Sequence, residues 1–173
     1  MARFWHEQNR PKTLRRTLIA LAGAGSLILA YLTRLHYSTG GSSFCNFAPG
    51  LSCDLVNQST YSEIFGIPVA VLGLLFFLTV IVILLNDRRP GYFALTLILT
   101  CFALTFSLSL SAVEVFILRT ICLLCETTKV IMAVMIAVSA YGAGLGKEKI
   151  RPLLLAGALG GGILFGLVVA FGS

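Results

Sequence analysis

The sequence predicts an all-α integral membrane protein, and three observations support this fold class. Hydrophobic residues make up 57% of the chain and charged residues only 12%, proportions outside the range of soluble globular domains. The mean hydropathy is +0.93. Five apolar stretches have about the 20 residues that a helix needs to cross a bilayer, and they cover residues 17–36, 67–85, 92–112, 121–141 and 153–171. Little of the 173-residue chain remains for a soluble domain, so we predict a single transmembrane domain over residues 1–173.

The first apolar stretch follows a basic N-terminal segment, a pattern that fits either a secretory signal peptide or a membrane anchor. Ala22-Gly23-Ala24 has the composition of a signal-peptide cleavage site. The apolar run continues past Ala24 to Leu32, however, which is longer than the apolar core of a signal peptide requires. This length favours an uncleaved first transmembrane helix, with the signal peptide as the alternative.

Turn-forming residues separate the later stretches. Residues 86–91 (Asn-Asp-Arg-Arg-Pro-Gly) predict a tight turn between the second and third spans. The glycine-rich residues 142–146 end the fourth span. The fifth span contains Gly160-Gly161-Gly162, which indicates either close helix packing or a loosely ordered segment.

The placement of basic residues predicts the orientation in the membrane. Lys and Arg are concentrated before residue 17, in the turn 86–91 and in residues 147–151, which all fall on one side of the predicted spans. The positive-inside rule makes that side cytoplasmic. We therefore expect an inner or plasma membrane protein with a cytoplasmic N terminus and an extracytoplasmic C terminus. The net charge of +6 is then a topology signal, and no basic segment interleaved with aromatic residues indicates nucleic-acid binding.

Four of the five cysteines fall on the extracytoplasmic side of this topology, where disulfides form and persist. Cys45 and Cys53 lie in the first outside loop, and Cys122 and Cys125 form a CxxC at the outside end of the fourth span. At a helix start, unpaired N–H groups and the helix dipole stabilise the thiolate of the first cysteine. We interpret the four thiols as two redox pairs. Cys101 lies in the middle of the third span and is interpreted as a small packing residue.

Each pair also fits a simpler interpretation. Cys45 and Cys53 fit a structural disulfide, and the CxxC fits half of a zinc site or two cysteines without function. No second CxxC or pair of histidines accompanies the motif, since His6 is cytoplasmic and His36 stands alone at a span end. We therefore expect no metal. The coincidence of four thiols at one membrane face favours the redox interpretation.

These motifs resemble the vitamin K epoxide reductase family, specifically its microbial homologues. The resemblance covers about residues 17–142, and the matching motifs are Cys45, the segment 53–59 (Cys-Asp-Leu-Val-Asn-Gln-Ser), the segment 65–68 (Phe-Gly-Ile-Pro) and Cys122-Leu123-Leu124-Cys125. It implies a four-helix transmembrane bundle around a quinone, a fifth transmembrane helix, and an extracytoplasmic cap formed by the redox loop 38–64. Many microbial relatives carry a fused thioredoxin-like domain after the fifth helix. Because this chain ends at Ser173, the resemblance implies a separate thioredoxin-fold partner.

The resemblance also implies an activity, that of a DsbB-like thiol-disulfide:quinone oxidoreductase that supports disulfide-bond formation. A reduced DsbA-like partner attacks the Cys45–Cys53 disulfide, Cys53 exchanges with Cys122, and Cys125 passes the electrons to the membrane quinone pool. The quinone would be menaquinone, ubiquinone or another vitamin K-type quinone. Reduction of vitamin K epoxide, as in animal relatives, is the alternative activity. A claudin-like structural protein with a loop disulfide is the alternative from another class.

The resemblance further implies two quinone-binding residues, one in the cap and one directly after it. Ser59 matches the family's hydroxyl group near the quinone, where it would hydrogen-bond a carbonyl, and Phe65 belongs to the matching stretch that opens the second span. An ordinary loop or helix-capping role is the alternative for Ser59.

A further feature comes from the residues themselves, since the CxxC, Glu126 and Lys129 share one helix face by their spacing. Ionisable groups inside a span are costly unless they are paired or face a cavity. A Glu126–Lys129 ion pair is the simpler interpretation. Alternatively, Lys129 stabilises the Cys125 thiolate or binds a quinone oxygen, and Glu126 handles a proton. Glu114 and Arg119, which precede the CxxC, either tune the site or are solvated.

Overall fold

Helices make up most of the structure, a computed structural model that describes residues 2–38, 45, 50–64, 66–86, 91–144 and 147–171. The helices are α1 (Ala2–Tyr37), α2 (Cys53–Asn57), α3 (Val69–Leu85), α4 (Tyr92–Val113), α5 (Leu123–Gly142) and α6 (Lys147–Phe171). Thr60–Ser62 forms a 3-10 turn, Glu114–Leu118 forms a π-helical turn, and Glu63–Ile64 (β1) pairs antiparallel with Ile67–Pro68 (β2). The predicted all-α class is confirmed.

Each predicted span folds as an apolar helix. Within the described residues, three stretches are long and apolar enough to cross a membrane, namely Pro11–Tyr37, Tyr92–Leu118 and Leu123–Gly142. Val69–Leu85 and Arg151–Gly166 are apolar but shorter. Residues 87–90 of the predicted turn and residues 145–146 of the glycine-rich connection lie outside the described residues.

Two helices begin later than predicted because local pairing uses their first residues. α3 begins at Val69, since the two residues before it pair in β2. α5 begins at Leu123, since Ile121 pairs with Leu51 and Cys122 caps the helix. In contrast, α4 continues through the π-helical turn beyond its predicted end, and α1 and α6 begin before their predicted spans.

Four helices form a closed ring in which α1 packs on α3 and α5, and α4 packs on the same two helices. On α1, the buried side chains recur every three or four positions, as expected for a helix with one face in a core. The core side chains of the ring include Leu18, Ala22, Leu29 and Leu32 of α1, Phe77, Val80 and Leu84 of α3, Phe93 of α4, and Met132 and Met135 of α5. This is the predicted four-helix bundle.

The fifth long helix, α6, packs on α4 outside the ring. A Cβ atom on Gly161 would lie 2.5 Å from the Phe102 carbonyl oxygen, and one on Gly157 would lie 2.6 Å from the Cβ of Cys101. These distances are too short for any side chain, so glycine is needed for the two backbones to approach. The close-packing interpretation of the fifth span is therefore confirmed at Gly161. Cys101 is a buried free thiol in this contact, as its packing interpretation requires.

Candidate redox-active site

The CxxC lies where α5 begins. Cys122 is the residue that caps α5, and its Sγ accepts a hydrogen bond of 3.3 Å from the backbone N–H of Cys125. Both are free thiols, Cys122 fully buried and Cys125 partly exposed. Cys122 lies one residue before the membrane-spanning helix, and hydrogen bonding from the Cys125 thiol lowers the pKa of Cys122 while burial opposes that shift. A lowered pKa at a helix start is typical of reactive cysteines.

The loop thiols are joined to each other and lie beside the CxxC. Cys45 and Cys53 form a disulfide with a Cα–Cα distance of 5.9 Å, and both side chains are buried. Leu51, two residues before Cys53, forms a parallel bridge with Ile121, the residue before Cys122.

Two backbone hydrogen bonds make this bridge. The Ser52 N–H donates to the Ile121 carbonyl over 3.3 Å, and the Ile121 N–H donates to the Gly50 carbonyl over 3.0 Å. The two segments run parallel, so the chain continues in the same direction after each of them. Cys53 comes two residues after Leu51, and Cys122 comes one residue after Ile121, so both lie on the same side of the bridge. The bridge therefore fixes the loop disulfide next to the CxxC.

A cavity of about 410 Å³ lies inside the helix ring, and Cys125 is on its wall. Most of its lining is apolar and includes Leu29, Leu32, Phe76, Phe102, Phe106 and Met132. Its polar groups include Ser59 and Asn57 of the cap and Glu114 and Lys129 of the helices. The described residues of the cavity wall contain one cysteine, Cys125. Cys122 and Glu126 are not among them.

Lys129 is at the centre of a buried polar network beside the CxxC. Its Nζ donates to Ser111 Oγ and to Glu126 Oε1, and lies 3.8 Å from Glu114 Oε1. The hydroxyl of Ser111 in turn donates to Glu126 Oε1 over 3.0 Å. The side chains of Lys129 and Glu114 are only 5% and 7% exposed, against 38% for Glu126. The predicted Glu126–Lys129 pair is confirmed, and Lys129 also faces the cavity.

Glu114 joins this network to the CxxC. Its Oε2 accepts a hydrogen bond of 3.2 Å from the backbone N–H of Cys122. The sequence alone allows either solvation of Glu114 and Arg119 or a role for them in the site. The structure buries Glu114 and leaves Arg119 exposed, because the π-helical turn extends α4 past the predicted span end. The signal in the sequence was an ionisable residue within an apolar run.

The cap is tied to the end of α1 by polar contacts. Asn57 is buried, and its Nδ2 donates to the Leu32 carbonyl over 2.8 Å. The ring of His36 lies between the Asn57 carbonyl, 2.6 Å from Nδ1, and Glu63 Oε1, 3.0 Å from Nε2. Sequence reasoning considered His36 only as a metal ligand and did not single out Asn57. Here both hold the cap over the cavity.

The predicted quinone-binding residues Ser59 and Phe65 have different outcomes. Ser59 lines the cavity, but its hydroxyl donates to the Val56 carbonyl over 2.8 Å. A quinone carbonyl needs a donor, so in this arrangement Ser59 offers it only an oxygen. Phe65 lies outside the described residues.

Comparison with models of known protein families gives a match that spans the site. Residues 16–140 match the model described as the Vitamin K epoxide reductase family. The matched range is most of the chain and includes both cysteine pairs, the cap, all of α3 and α4, and most of α1 and α5.

Proposed function

Since the chain belongs to the vitamin K epoxide reductase family, whose members are membrane oxidoreductases of thiols and quinones, we propose that it reoxidises a separate protein outside the cytoplasm. The partner would be a thioredoxin-fold, DsbA-like thiol oxidase, and the product would be disulfide bonds in secreted proteins. The membrane quinone pool would receive the electrons. The observation on which this proposal rests is the backbone bridge between Leu51 and Ile121, which sets the loop disulfide beside the CxxC.

The proposed relay consists of thiolate attacks on disulfides. A thiolate of the partner attacks Cys45, which breaks the Cys45–Cys53 bond and leaves Cys53 as a thiolate. Cys53 then attacks Cys122 of an oxidised Cys122–Cys125 pair, and Cys125 is released as a thiolate. The second thiol of the partner then attacks the first, which forms the disulfide of the partner and frees Cys45. Cys45 attacks Cys53, which restores the loop disulfide and breaks the Cys53–Cys122 bond, so that Cys122 is released as a thiolate. Two electrons have then moved from the partner to the CxxC.

The cavity fits a quinone headgroup in size, polarity and position. Its volume of about 410 Å³ is within the range of small-molecule sites, and its apolar wall suits a flat carbon ring. The ammonium of Lys129 would hydrogen-bond a carbonyl, and the thiol of Cys125 stands on the same wall. A bound quinone supplies a two-electron, two-proton acceptor there. Glu126 is not among the described residues of the cavity wall, but its carboxylate accepts a hydrogen bond from the Lys129 ammonium and would hold that ammonium in place.

The orientation of the chain is part of the proposal. Basic residues precede the first span and cluster at both connections on the same side, so the N terminus would be cytoplasmic and the cysteine pairs and C terminus extracytoplasmic. After mild reduction of intact cells, a membrane-impermeant maleimide should label Cys45 or Cys53. A Cys45→Ala/Cys53→Ala variant should lose this labelling. Labelling that requires membrane rupture would place the site in the cytoplasm and exclude the proposed partner.

The exchange between the two pairs predicts a trapped intermediate. In a Cys45→Ala/Cys125→Ala variant, the two thiols that normally resolve the exchange are absent, so mild oxidation should produce a stable Cys53–Cys122 disulfide. Peptide mapping by mass spectrometry without reduction should show this cross-link in most molecules. The matched control is Cys45→Ala/Cys122→Ala, in which Cys125 is the CxxC thiol that remains for Cys53 to attack. A cross-link from Cys53 to Cys125 with equal yield, or to neither thiol, would contradict the relay.

A further inference from the structure

The carboxylate of Glu114 contacts both the CxxC and the cavity. Its Oε2 accepts the backbone N–H of Cys122, and the residue also belongs to the cavity wall. Glu114 is buried and lies on a different chain segment from the thiols, in the π-helical turn that follows α4. No step of the proposed relay uses this residue.

Proton balance creates a need for such a group. Oxidation of the Cys122–Cys125 dithiol releases two electrons and two protons, and formation of a quinol takes up the same number of each. Cys125 faces the cavity, so its proton has a direct path. Cys122 is fully buried and is not among the described residues of the cavity wall. The Cys125 thiol is hydrogen-bonded to it, but the Cys125 sulfur itself enters the new S–S bond, so the proton of Cys122 needs another carrier.

We propose that Glu114 carries the proton of the Cys122 thiol to the cavity, an inference that rests on the proposed function. In the first step, the S–H bond of Cys122 breaks and an O–H bond forms on a carboxylate oxygen of Glu114. In the second step, this O–H bond breaks and the proton enters the cavity. No electrons move in either step, since they pass through the sulfur atoms.

The charges around Glu114 support this role. The charged groups of the network are Glu114, Glu126 and Lys129, with the Ser111 hydroxyl between the last two. Two carboxylates facing one ammonium leave one negative charge, which is costly in a buried site. A proton on Glu114 makes the network neutral, so the site can hold that proton at low cost.

The same contacts distinguish Glu114 from Glu126 as the carrier. Glu126 is partly exposed, is bonded by both Lys129 and Ser111, and does not belong to the cavity wall within the described residues. Glu114 is the carboxylate that accepts a hydrogen bond from the backbone N–H of Cys122, which holds it next to that residue. Glu126 therefore offers a matched control with the same chemistry in the same network.

The test uses infrared difference spectra of the purified, quinone-depleted full chain, reduced with dithiothreitol and then oxidised. Without a quinone to accept the proton in the cavity, the proton from Cys122 should stay on Glu114 after oxidation, so the carboxyl C=O band of a protonated Glu114 should appear in the oxidised state. Glu114→Gln should remove this change, whereas Glu126→Gln should keep it. The glutamine still offers an oxygen to the Cys122 N–H, so its effect reports the lost proton site and not a lost contact.

Turnover provides the second readout. With added quinone, Glu114→Gln should reduce quinol formation about 100-fold, while the Cys53–Cys122 cross-link still forms in the Cys45→Ala/Cys125→Ala background. If Glu114→Gln does not fold, Glu114→Asp replaces it and should retain a carboxyl band at a shifted frequency. A redox-dependent band that survives Glu114→Gln, or unchanged turnover in that variant, would overturn the role of Glu114. Absence of quinone reduction in the unmodified chain would instead overturn the proposed function.

Discussion

Cys125→Ser should eliminate quinone reduction with every thiol donor, by more than about three orders of magnitude. Of the cysteines, Cys125 is the one on the described wall of the cavity, and the cavity fits the quinone that accepts the electrons. A serine hydroxyl keeps the shape of the side chain but cannot form a disulfide with Cys122. The measurement is the absorbance change on quinol formation in detergent, with Cys101→Ala as the control. Cys101 is buried between α4 and α6, away from both pairs, and its loss should leave the rate nearly unchanged.

The donor reveals which pair accepts the electrons first. Cys45→Ala should stop turnover with a folded thioredoxin-fold dithiol and retain part of it with dithiothreitol. A small dithiol can enter the cavity and reduce the Cys122–Cys125 disulfide directly, whereas a folded protein cannot enter the helix ring. Equal loss with both donors would show that the loop pair is needed for more than receiving electrons. Full activity with both would assign Cys45 a purely structural bond.

Sequence reasoning predicted the features that depend on short segments. The length of each apolar run predicts a helix, and the CxxC spacing places two thiols one turn apart at a helix start. The glycines of the fifth span predict a close helix contact, which Gly161 makes with α4. Each of these depends on residues within a few turns of each other, so the chain need not be folded to recognise them.

Features that depend on pairing between distant segments were missed. The bridge between Leu51 and Ile121 joins segments 70 residues apart, and the residues of these segments form no pattern that predicts their pairing. Burial of Glu114 depends on a π-helical turn that continues α4 beyond the predicted span. The contacts of His36 with the cap also require the tertiary fold. For Ser59, the resemblance predicted a donor, whereas the structure uses its proton inside the cap.

Lys129→Met should destabilise the folded chain by about 3–5 kcal/mol, the typical cost of removing one partner from a buried ion pair. Methionine retains an apolar stem of similar length but removes the ammonium that faces two carboxylates. Glu114 is buried and would face no ammonium, so it would either bear an uncompensated charge or have to take up a proton, whereas Glu126 can turn toward solvent. The measurement is thermal unfolding of the purified protein in detergent, and the expected result is a clear decrease in the apparent Tm. Quinone reduction should also slow, since the donor on the cavity wall is lost.

A double variant separates the electrostatic cause from a packing defect. Lys129→Met/Glu114→Gln replaces the carboxyl group that has lost its ammonium with a neutral amide, so it should recover much of the stability lost in Lys129→Met. Lys129→Met/Glu126→Gln should recover less, because Glu126 is already 38% exposed. Recovery in neither double variant would indicate that methionine simply packs badly at this position. If Lys129→Met alone unfolds at the same temperature as the unmodified chain, the carboxylates do not depend on the ammonium for burial, and the network would serve the cavity alone.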